Sequence, residues 1–258
     1  MKIIKSLEEF PKQSFPLVVA LGNFDGVHLG HQKLISTAKQ IANQLNGSLL
    51  VFTFYPHPQI ALGKEISLLN TFQQKAKNLE KLKVDKLLAV PFTKEFSHLS
   101  PQQFVSDILF EILQAKHIVA GFNYSFGYKG QGKVEDLKKL TKQLGINYTI
   151  IEPFYIDNEL VSSTAIRNYL LSGEIKKATR LLGYYPKIEG TVTTGNKFGR
   201  EMGFPTANLK WEEKLLIPQR GVYAVKVIYK GQVYKGVLNI GYKPTVTDKK
   251  QKTIEVNI

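Results

Sequence analysis

Residues 17–32 read LVVALGNFDGVHLGHQ, and this stretch decides the fold of the first part of the chain. Its first five residues are a continuous apolar run, which is typical of a strand buried in a parallel sheet. Glycines follow at positions 22, 26 and 30, where they let the backbone come close to a ligand. A helical pattern then runs from about Leu29 to Asn46, and Gly47 is the expected stop. The order predicts a strand, a ligand-binding turn and a helix.

Two histidines, His28 and His31, flank the start of this predicted helix. Free backbone N–H groups and the positive end of the helix dipole suit anions there, and imidazoles can donate hydrogen bonds to phosphoryl oxygens. An isolated pair with this spacing is more often a structural cap or a metal site. A metal site needs a third ligand, but the chain has no cysteine, and His57, His98 and His117 stand singly. We therefore expect a nucleotide phosphate at this turn rather than zinc.

The rest of the first 182 residues alternates between strand-like and helix-like segments. Strands are predicted at residues 48–54, 86–92, 117–122 and 148–154, and helices at residues 71–82, 101–113, 133–144 and 163–182. This order predicts an α/β fold with a doubly wound parallel sheet. Ligands bind beyond the carboxyl ends of the strands in such sheets. The segments that follow three of these strands, residues 23–31, 54–58 and 123–127, are therefore expected to converge on one crevice.

After Pro186 the character of the chain changes. Residues 188–194, 222–229, 233–239 and 253–258 are β-branched or aromatic and alternate, and the turn-forming pair Lys230-Gly231 separates two of these segments. These segments predict the start of an antiparallel β-barrel. We therefore expect two domains, residues 1–183 and residues 184–258.

The formal net charge of +14 raises the question of a nucleic-acid partner. The lysines are scattered, as at Lys75, Lys77, Lys81 and Lys138, and they fall mostly on what would be solvated helix faces. No helix-turn-helix, zinc-finger or RNA-recognition pattern accompanies them, so we expect no nucleic-acid partner. The chain has no signal-peptide layout and no apolar run of membrane-spanning length. These features predict a soluble cytoplasmic protein without a membrane partner, and they predict no particular oligomeric state.

Five motifs follow one another along nearly the whole chain: GNFDGVHLGH at residues 22–31, FYPHP at 54–58, GFNYSFG at 121–127, SSTAIR at 162–167 and GREMGFPTAN at 199–208. Together they resemble the bacterial FAD synthetases, which are bifunctional riboflavin kinase/FMN adenylyltransferases. The H-x-G-H element alone is shared with many nucleotidyltransferases and some aminoacyl-tRNA synthetases, whereas the GFPTAN block is much more specific. The resemblance implies a Rossmann-like nucleotidyltransferase domain followed by a six-stranded riboflavin kinase barrel.

The resemblance implies transfer of AMP from ATP to the phosphate of FMN, giving FAD and pyrophosphate, with Mg²⁺ neutralising charge. A phosphate monoester is largely ionised at neutral pH, so this step needs alignment and hydrogen-bond donors rather than a general base. The residues implied to be catalytic are His28, His31, Ser163, Thr164 and Arg167. Those implied to bind ATP or FMN are Gly22, Asn23, Phe24, Asp25, Gly30, His57, Asn123 and Phe126. An alternative role for residues 162–164 is the N-cap of a helix that begins near Thr164.

Arginine is rare in this chain: only four of the 35 basic residues are arginine, and none precedes Arg167. Because lysine is the usual cation here, each arginine is a candidate for work that needs the planar guanidinium fork. Arg167 and Arg200 both fall within the family motifs, which favours phosphate-binding roles for them. The alternative is that Arg180 and Arg220 are surface or packing residues and that the coincidence is chance.

The resemblance also implies a second reaction, in which riboflavin is phosphorylated to FMN. A hydroxyl carries no charge with which to attack, so this reaction needs a base. The implied base is a glutamate in a segment after the strand that here ends at Ile258, and Asn257 replaces the usual histidine. We therefore expect this chain to make little FMN from riboflavin, unless another carboxylate such as Glu201 serves. The residues implied to bind the kinase nucleotide are Gly195, Lys197, Gly199, Arg200, Thr206 and Asn208, with Thr206 holding Mg²⁺.

Two other functions remain open at this point. One is another H-x-G-H nucleotidyltransferase that transfers AMP or CMP to a different phosphate, against which the aromatic motif at residues 123–126 and the kinase block both argue. The other is a flavin- or RNA-binding regulator that keeps the fold without turnover, which the intact His28, His31 and Arg167 disfavour. Conversion of FMN and ATP to FAD separates the predicted enzyme from both alternatives.

Overall fold

A computed structural model of the chain describes residues 1–193, 206–243 and 251–258. The chain divides into two compact units. The first comprises Met1–Ile66, Asn70–Ser163 and Leu181–Gly183, and the second comprises Ser67–Leu69, Thr164–Arg180 and Tyr184–Ile258. Among the described residues, no helix is long and apolar enough to cross a membrane.

The first unit is built on a six-stranded parallel sheet. Its strands are β1 (Lys2–Ile4), β2 (Leu17–Leu21), β3 (Ser48–Phe54), β4 (Lys86–Val90), β5 (Ala115–Gly121) and β6 (Asn147–Ile151). The spatial order is β1-β4-β3-β2-β5-β6, and every neighbouring pair is parallel. This arrangement confirms the doubly wound α/β sheet that the alternating segments predict.

Helices connect these strands. They are α1 (Leu29–Gln44), α2 (Pro58–Ala61), α3 (Phe72–Lys81), α4 (Lys94–Ser97), α5 (Pro101–Gln103), which continues as a π-helix over Phe104–Ile112, and α6 (Val134–Gln143). A hairpin of β7 (Tyr155–Ile156) and β8 (Glu159–Leu160) follows the sheet.

The core of the first unit surrounds β2, whose five residues are at most 1 % exposed. Side chains alternate along a strand, so successive residues of β2 enter different clusters. Val18 and Ala20 pack with Ile35 of α1, whereas Leu17, Val19 and Leu21 pack in a cluster that contains Phe104. Burial on both faces explains why this strand is a continuous apolar run rather than an alternating one.

The helical stretch predicted at residues 163–182 is two helices, α7 (Ser163–Leu171) and α8 (Ile175–Leu182). The break lies at Gly173, which has a left-handed φ of 75°. The Gly173 N–H donates to the Leu170 carbonyl, and the Glu174 N–H donates to the Tyr169 carbonyl, which is the Schellman pattern of a helix end. The prediction of a single helix is therefore wrong.

The second unit contains an antiparallel sheet of five strands, as the alternating segments predict. The strands are β9 (Gly190–Thr193), β10 (Ala207–Trp211), β11 (Gly221–Tyr229), β12 (Gln232–Lys243) and β13 (Gln251–Asn257), in the order β11-β12-β13-β10-β9. Lys230 and Gly231 have φ of 48° and 80°, as a two-residue hairpin turn requires. Ile240, Ile254 and Val256 lie in the core of this sheet.

Candidate active site

Three neighbouring strands of the first unit bring the predicted motifs to one edge of the sheet. Strands β3, β2 and β5 are adjacent, and the motifs at residues 54–58, 22–31 and 121–127 lie at their carboxyl ends. The Gly22 N–H donates to the Phe52 carbonyl at 3.3 Å. The parallel topology therefore gathers the motifs at the edge where α/β sheets bind ligands.

The turn between β2 and α1 has a strained backbone. Phe24, Gly26 and Val27 have φ of 50°, 84° and 39°. Glycine adopts a positive φ readily, but for a β-branched residue such as Val27 it costs about 1–3 kcal/mol. The Val27 N–H donates to the Phe24 carbonyl at 3.3 Å, and the Ser163 hydroxyl donates to the carbonyl of Asp25 at 2.8 Å. Strain that surrounding contacts maintain is concentrated at ligand-binding sites.

His28 is the N-cap of α1 and is 6 % exposed. Its Nδ1 atom accepts a hydrogen bond from the backbone N–H of His31 at 3.3 Å. Because Nδ1 accepts this hydrogen bond, we assign a ring proton to Nε2. The start of α1 thus combines an imidazole with the backbone N–H groups of a helix N-terminus and the positive end of the dipole.

His31 lies against both His28 and Phe24. The two imidazole centroids are 3.6 Å apart, and the Phe24 ring meets the His31 ring edge-on with centroids 5.3 Å apart. Burial lowers the pKa of His31 well below its ordinary value of 6.5, and the charges of His28 and Lys75 lower it further. Within the described residues, the buried Nδ1 of His31 has no hydrogen-bond partner. Such an atom costs about 1–3 kcal/mol, so it indicates where a ligand or a water completes the site.

Two of the glycines in this motif are required by close approach to aromatic rings. A Cβ at Gly30 would lie 3.3 Å from both Nδ1 and Cε1 of His28, and a Cβ at Gly22 would lie 3.0 Å from the Phe24 ring. Both rings are buried, so neither can shift easily to make room for a Cβ. Glycine at position 30 therefore lets the His28 ring lie over the first turn of α1.

Lys75 is a buried charge that the sequence prediction misses. It was predicted to lie on a solvated helix face, but it is 7 % exposed and its Nζ atom donates to the carbonyl of Asn23 at 2.7 Å. Burial lowers the pKa of Lys75 to about 8, against the attraction of Asp25. The signal was present in the sequence, since Phe72, Lys75, Ala76 and Leu79 are spaced as the apolar stripe of a helix.

The other predicted ligands of the first unit have different surroundings. His57 is the N-cap of α2, where its Nδ1 accepts from the Gln59 N–H at 3.3 Å. Asn123 is exposed in the turn after β5. Phe126 is buried against Phe104, with centroids 5.5 Å apart, so its observed contacts are those of the core.

The SSTAIR motif is divided between the two units. Ser163 belongs to the first unit and contacts the turn between β2 and α1 at the Asp25 carbonyl, whereas Thr164 and Arg167 belong to the second unit. Thr164 is exposed in the first turn of α7. The Nε atom of Arg167 donates to the carbonyl of Ser67 at 2.9 Å.

In the second unit, the register of the sheet assembles a row of polar residues. Asn208 of β10 is directly opposite Glu255 of β13, and Glu255 is in turn opposite Asn239 of β12. Directly opposite residues have Cβ atoms about 4.5–5.5 Å apart. Ile254 and Val256, which flank Glu255, are buried in the core, so this row lies on the other face of the sheet. A carboxylate therefore stands beside the predicted nucleotide-binding Asn208.

This row contains a candidate base for the second reaction that the sequence-based expectation did not include. That expectation named a glutamate beyond Ile258, or Glu201. Glu255 is a carboxylate within the described strands, and it neighbours Asn208. Thr206, one residue before β10, is exposed. Gly195, Lys197, Gly199, Arg200 and Glu201 lie outside the described residues.

The donor chemistry of both sites is compatible with Mg²⁺. Among the described residues, no group of three or more His, Cys, Asp or Glu side chains is placed to hold a metal ion. Mg²⁺ does not require such a group, because it keeps several waters and is usually bound by one or two protein oxygens together with substrate phosphates. Thr206, Asn208 and Glu255 supply hard oxygen donors of this kind in the second unit.

Comparison with known proteins identifies relatives along the whole chain. Two family models match it, FAD synthetase over residues 10–165 and riboflavin kinase over residues 182–258. A Listeria monocytogenes protein named bifunctional riboflavin kinase/FMN adenylyltransferase is 46 % identical over 244 residues, which cover 93 % of this chain and 77 % of that protein. A Bacillus subtilis protein of the same name is 42 % identical over 247 residues, with the same two coverages.

A solved structure shares the fold of the whole chain. It is the crystal structure of a Streptococcus pneumoniae protein described as a macrolide-efflux protein, and it superposes with a TM-score of 0.90 at 32 % sequence identity. The match covers 100 % of this chain and 84 % of that one.

Proposed function

The chain belongs to the family of bifunctional riboflavin kinase/FMN adenylyltransferases, and from this premise we propose that the His28–His31 site transfers AMP from ATP to the phosphate of FMN. The protein is thus an enzyme of FAD biosynthesis. The observation that carries the assignment of the site is the stacked histidine pair at the start of α1. Its partners are the small molecules ATP, FMN and riboflavin, and we assign the reaction to the cytoplasm, where these nucleotides occur.

The transfer is a displacement at the α-phosphorus of ATP. An oxygen of the FMN phosphate forms a bond to this phosphorus, and the bond from the phosphorus to the oxygen bridging the α- and β-phosphates breaks. Pyrophosphate leaves with the electron pair of the broken bond. The FMN phosphate is largely ionised at neutral pH, so no side chain has to remove a proton. The protein has to align the two phosphates and donate hydrogen bonds to the charge that develops.

The residues at the start of α1 are suited to these tasks. The Nε2–H of His28 and the backbone N–H groups at the start of α1 donate to phosphate oxygens, while His28 Nδ1 accepts from the His31 N–H. His31 is held neutral by burial, so its unpaired nitrogen acts through a hydrogen bond rather than through a charge. Asn23 and Asp25 shape the turn, and Ser163 tethers it.

Further contacts with the nucleotides are proposed from the family motifs. In the first unit, His57 and Asn123 contact the nucleotide or the flavin. Thr164 and Arg167, which belong to the second unit, are assigned to ATP phosphates from the SSTAIR motif alone. The planar fork of a guanidinium suits this role, because it can bind a phosphate through two parallel hydrogen bonds. When bound, Mg²⁺ neutralises charge on the ATP phosphates.

The proposed second reaction phosphorylates riboflavin to FMN in the second unit. Glu255 is the proposed general base that accepts the proton of the riboflavin hydroxyl. The hydroxyl oxygen forms a bond to the γ-phosphorus of ATP, the bond from this phosphorus to the β,γ-bridging oxygen breaks, and ADP leaves with the electron pair. Thr206 and Asn208 would hold the nucleotide and Mg²⁺ through oxygen atoms. The register that sets Glu255 opposite Asn208 supports this assignment. The domains responsible are residues 1–183 for adenylyl transfer and residues 184–258 for the kinase reaction.

Product analysis tests the proposed adenylyl transfer. The purified protein is incubated with ATP, Mg²⁺ and FMN, and flavins are separated by chromatography while pyrophosphate is measured. We expect FAD and pyrophosphate in equal amounts. Parallel reactions with CTP or with other phosphate monoesters test the alternative nucleotidyltransferases. Turnover of one of these, with none of FMN, would refute the assignment.

A further inference from the structure

We infer that Lys75 is a positioning residue for adenylyl transfer. Its buried ammonium holds the Asn23 carbonyl and thereby fixes the turn between β2 and α1 and the electrostatic potential around His28 and His31. This inference rests on the proposed function of the first unit. It concerns a residue on α3, outside the five sequence motifs.

The contact that carries the inference joins a buried cation to the turn between β2 and α1. The Nζ atom of Lys75 lies 2.7 Å from the carbonyl oxygen of Asn23, and the hydroxyl of Thr53 donates to the same oxygen at 3.2 Å. Lys75 is 7 % exposed and Thr53 is fully buried. Asn23 is therefore fixed from two elements, α3 and β3, just before the strained residues Phe24 and Val27.

The identity of the acceptor argues for more than a structural role. A carbonyl is uncharged, so this hydrogen bond does not cancel the charge of the ammonium. The charged and titratable groups that act on it are Asp25 in the turn and His31 on α1, which is stacked on His28. Burying a cation costs free energy while the site is empty. The cation then stabilises anionic phosphates when they bind in the site.

The same geometry makes the site sensitive to alkaline pH. Burial lowers the pKa of Lys75 to about 8, and the attraction of Asp25 opposes this shift. When Lys75 loses its proton, the positive potential at the turn falls although the side chain remains. We therefore expect kcat/KM for FAD formation to decline above about pH 8, with the decline dependent on Lys75.

The test compares kcat and KM for FAD formation from about pH 6.5 to about pH 9.5 in the full chain. The variants are Lys75→Met, which keeps length without charge, and Lys75→Gln, which keeps a hydrogen-bond donor without charge. Lys81→Met is the matched control, since Lys81 is an exposed lysine on the same helix. Far-ultraviolet circular dichroism and thermal unfolding establish that each variant is folded.

We expect both Lys75 variants to lose about 10- to 100-fold in kcat/KM near neutral pH, mainly in kcat, and to lose the alkaline decline. Lys81→Met keeps the wild-type values and profile. If Lys75→Met does not fold, Lys75→Gln decides. A folded variant with wild-type kcat and an unchanged pH profile would overturn the role of Lys75 alone. Absence of FAD from the wild-type reaction would instead overturn the proposed function, and the role of Lys75 with it.

Discussion

The imidazole rings of His28 and His31 lie nearly parallel, with centroids 3.6 Å apart and an angle of 16° between their planes. Two imidazolium charges at this distance would repel each other, so the stack disfavours protonation of both rings at once. The lowered pKa of His31 agrees with this reasoning, since burial and the neighbouring His28 and Lys75 all disfavour its protonated form. In the proposed site, His31 therefore acts as a neutral imidazole.

Replacement of His31 by alanine is expected to lower kcat for FAD formation by about 10²-fold or more, which is the scale of losing one preorganised donor. His98→Ala is the control, because His98 is an exposed histidine of the first unit. Steady-state kinetics of both variants provide the measurement. A folded His31→Ala protein with wild-type turnover would remove His31 from the proposed mechanism.

The depressed pKa of His31 also predicts how stability responds to acid. The unfolded chain takes up a proton on this residue near pH 6.5, whereas the folded chain takes it up only at lower pH. The free energy of unfolding should therefore fall as pH decreases from about 6.5 towards the folded pKa. Urea unfolding of wild type and His31→Gln at about pH 7.5 and about pH 5.5 measures this difference. An equal pH dependence in both proteins would contradict the burial of a neutral His31.

Lys75→Met is expected to raise the free energy of unfolding at neutral pH and to raise it less at alkaline pH. The pKa of Lys75 falls from 10.5 to about 8 on folding, which corresponds to about 3 kcal/mol of destabilisation while the residue is charged. This cost is fully present below about pH 8 and disappears as pH rises towards 10.5. The methionine variant should therefore be more stable than wild type at neutral pH, and the difference should shrink at high pH. Urea unfolding at a series of pH values would show a constant difference if Lys75 were not a buried cation.

Arg167→Lys is expected to lower the rate of FAD formation by about 10- to 100-fold while the fold is kept. Lysine retains the charge, but it lacks the planar fork that binds a phosphate through two hydrogen bonds. Arg180→Lys serves as the matched control, because Arg180 is exposed on the neighbouring helix α8. Similar kinetics for the two variants would show that Arg167 is not distinguished from other arginines.

Glu255→Gln separates the two proposed reactions. Loss of a general base should reduce formation of FMN from riboflavin by about 10²-fold or more, and FAD formation from added FMN should not change. Glu213→Gln is the control, since Glu213 is an exposed glutamate of the second unit. Chromatography of flavins after incubation with riboflavin, ATP and Mg²⁺ provides the measurement. Riboflavin phosphorylation at the wild-type rate in Glu255→Gln would exclude Glu255 as the base.

The parts of the fold that local sequence determines were predictable. Strands β2 and β3 have the bounds that their apolar runs predict, and α1 begins at Leu29 as expected. Strand β6 ends at Ile151, before the predicted residue 154, because Pro153 cannot donate to a sheet. Strand β10 was not predicted, because its five residues form a strand only through pairing with the distant β9 and β13.

The candidate site was predictable only in part, for a related reason. The motif at residues 22–31 places the histidines at a helix start by local rules alone. Spacing places Lys75 on the buried face of α3, but its contact with the Asn23 carbonyl depends on what that face packs against, and the neighbourhood of Glu255 and Asn208 depends on strand register. Both are long-range properties that spacing in the sequence does not specify. The break at Gly173, by contrast, has a local signal in the sequence, because glycine commonly ends a helix.

Isotopic tracing of the phosphates tests the central claim of AMP transfer most directly. The protein is incubated with FMN, Mg²⁺ and ATP labelled either at the α-phosphate or at the γ-phosphate. The account predicts that α-label appears in FAD and that γ-label appears in pyrophosphate, in equal molar amounts, and that His31→Ala abolishes most of both. Absence of α-label from FAD, or its transfer to an acceptor other than FMN, would contradict the account.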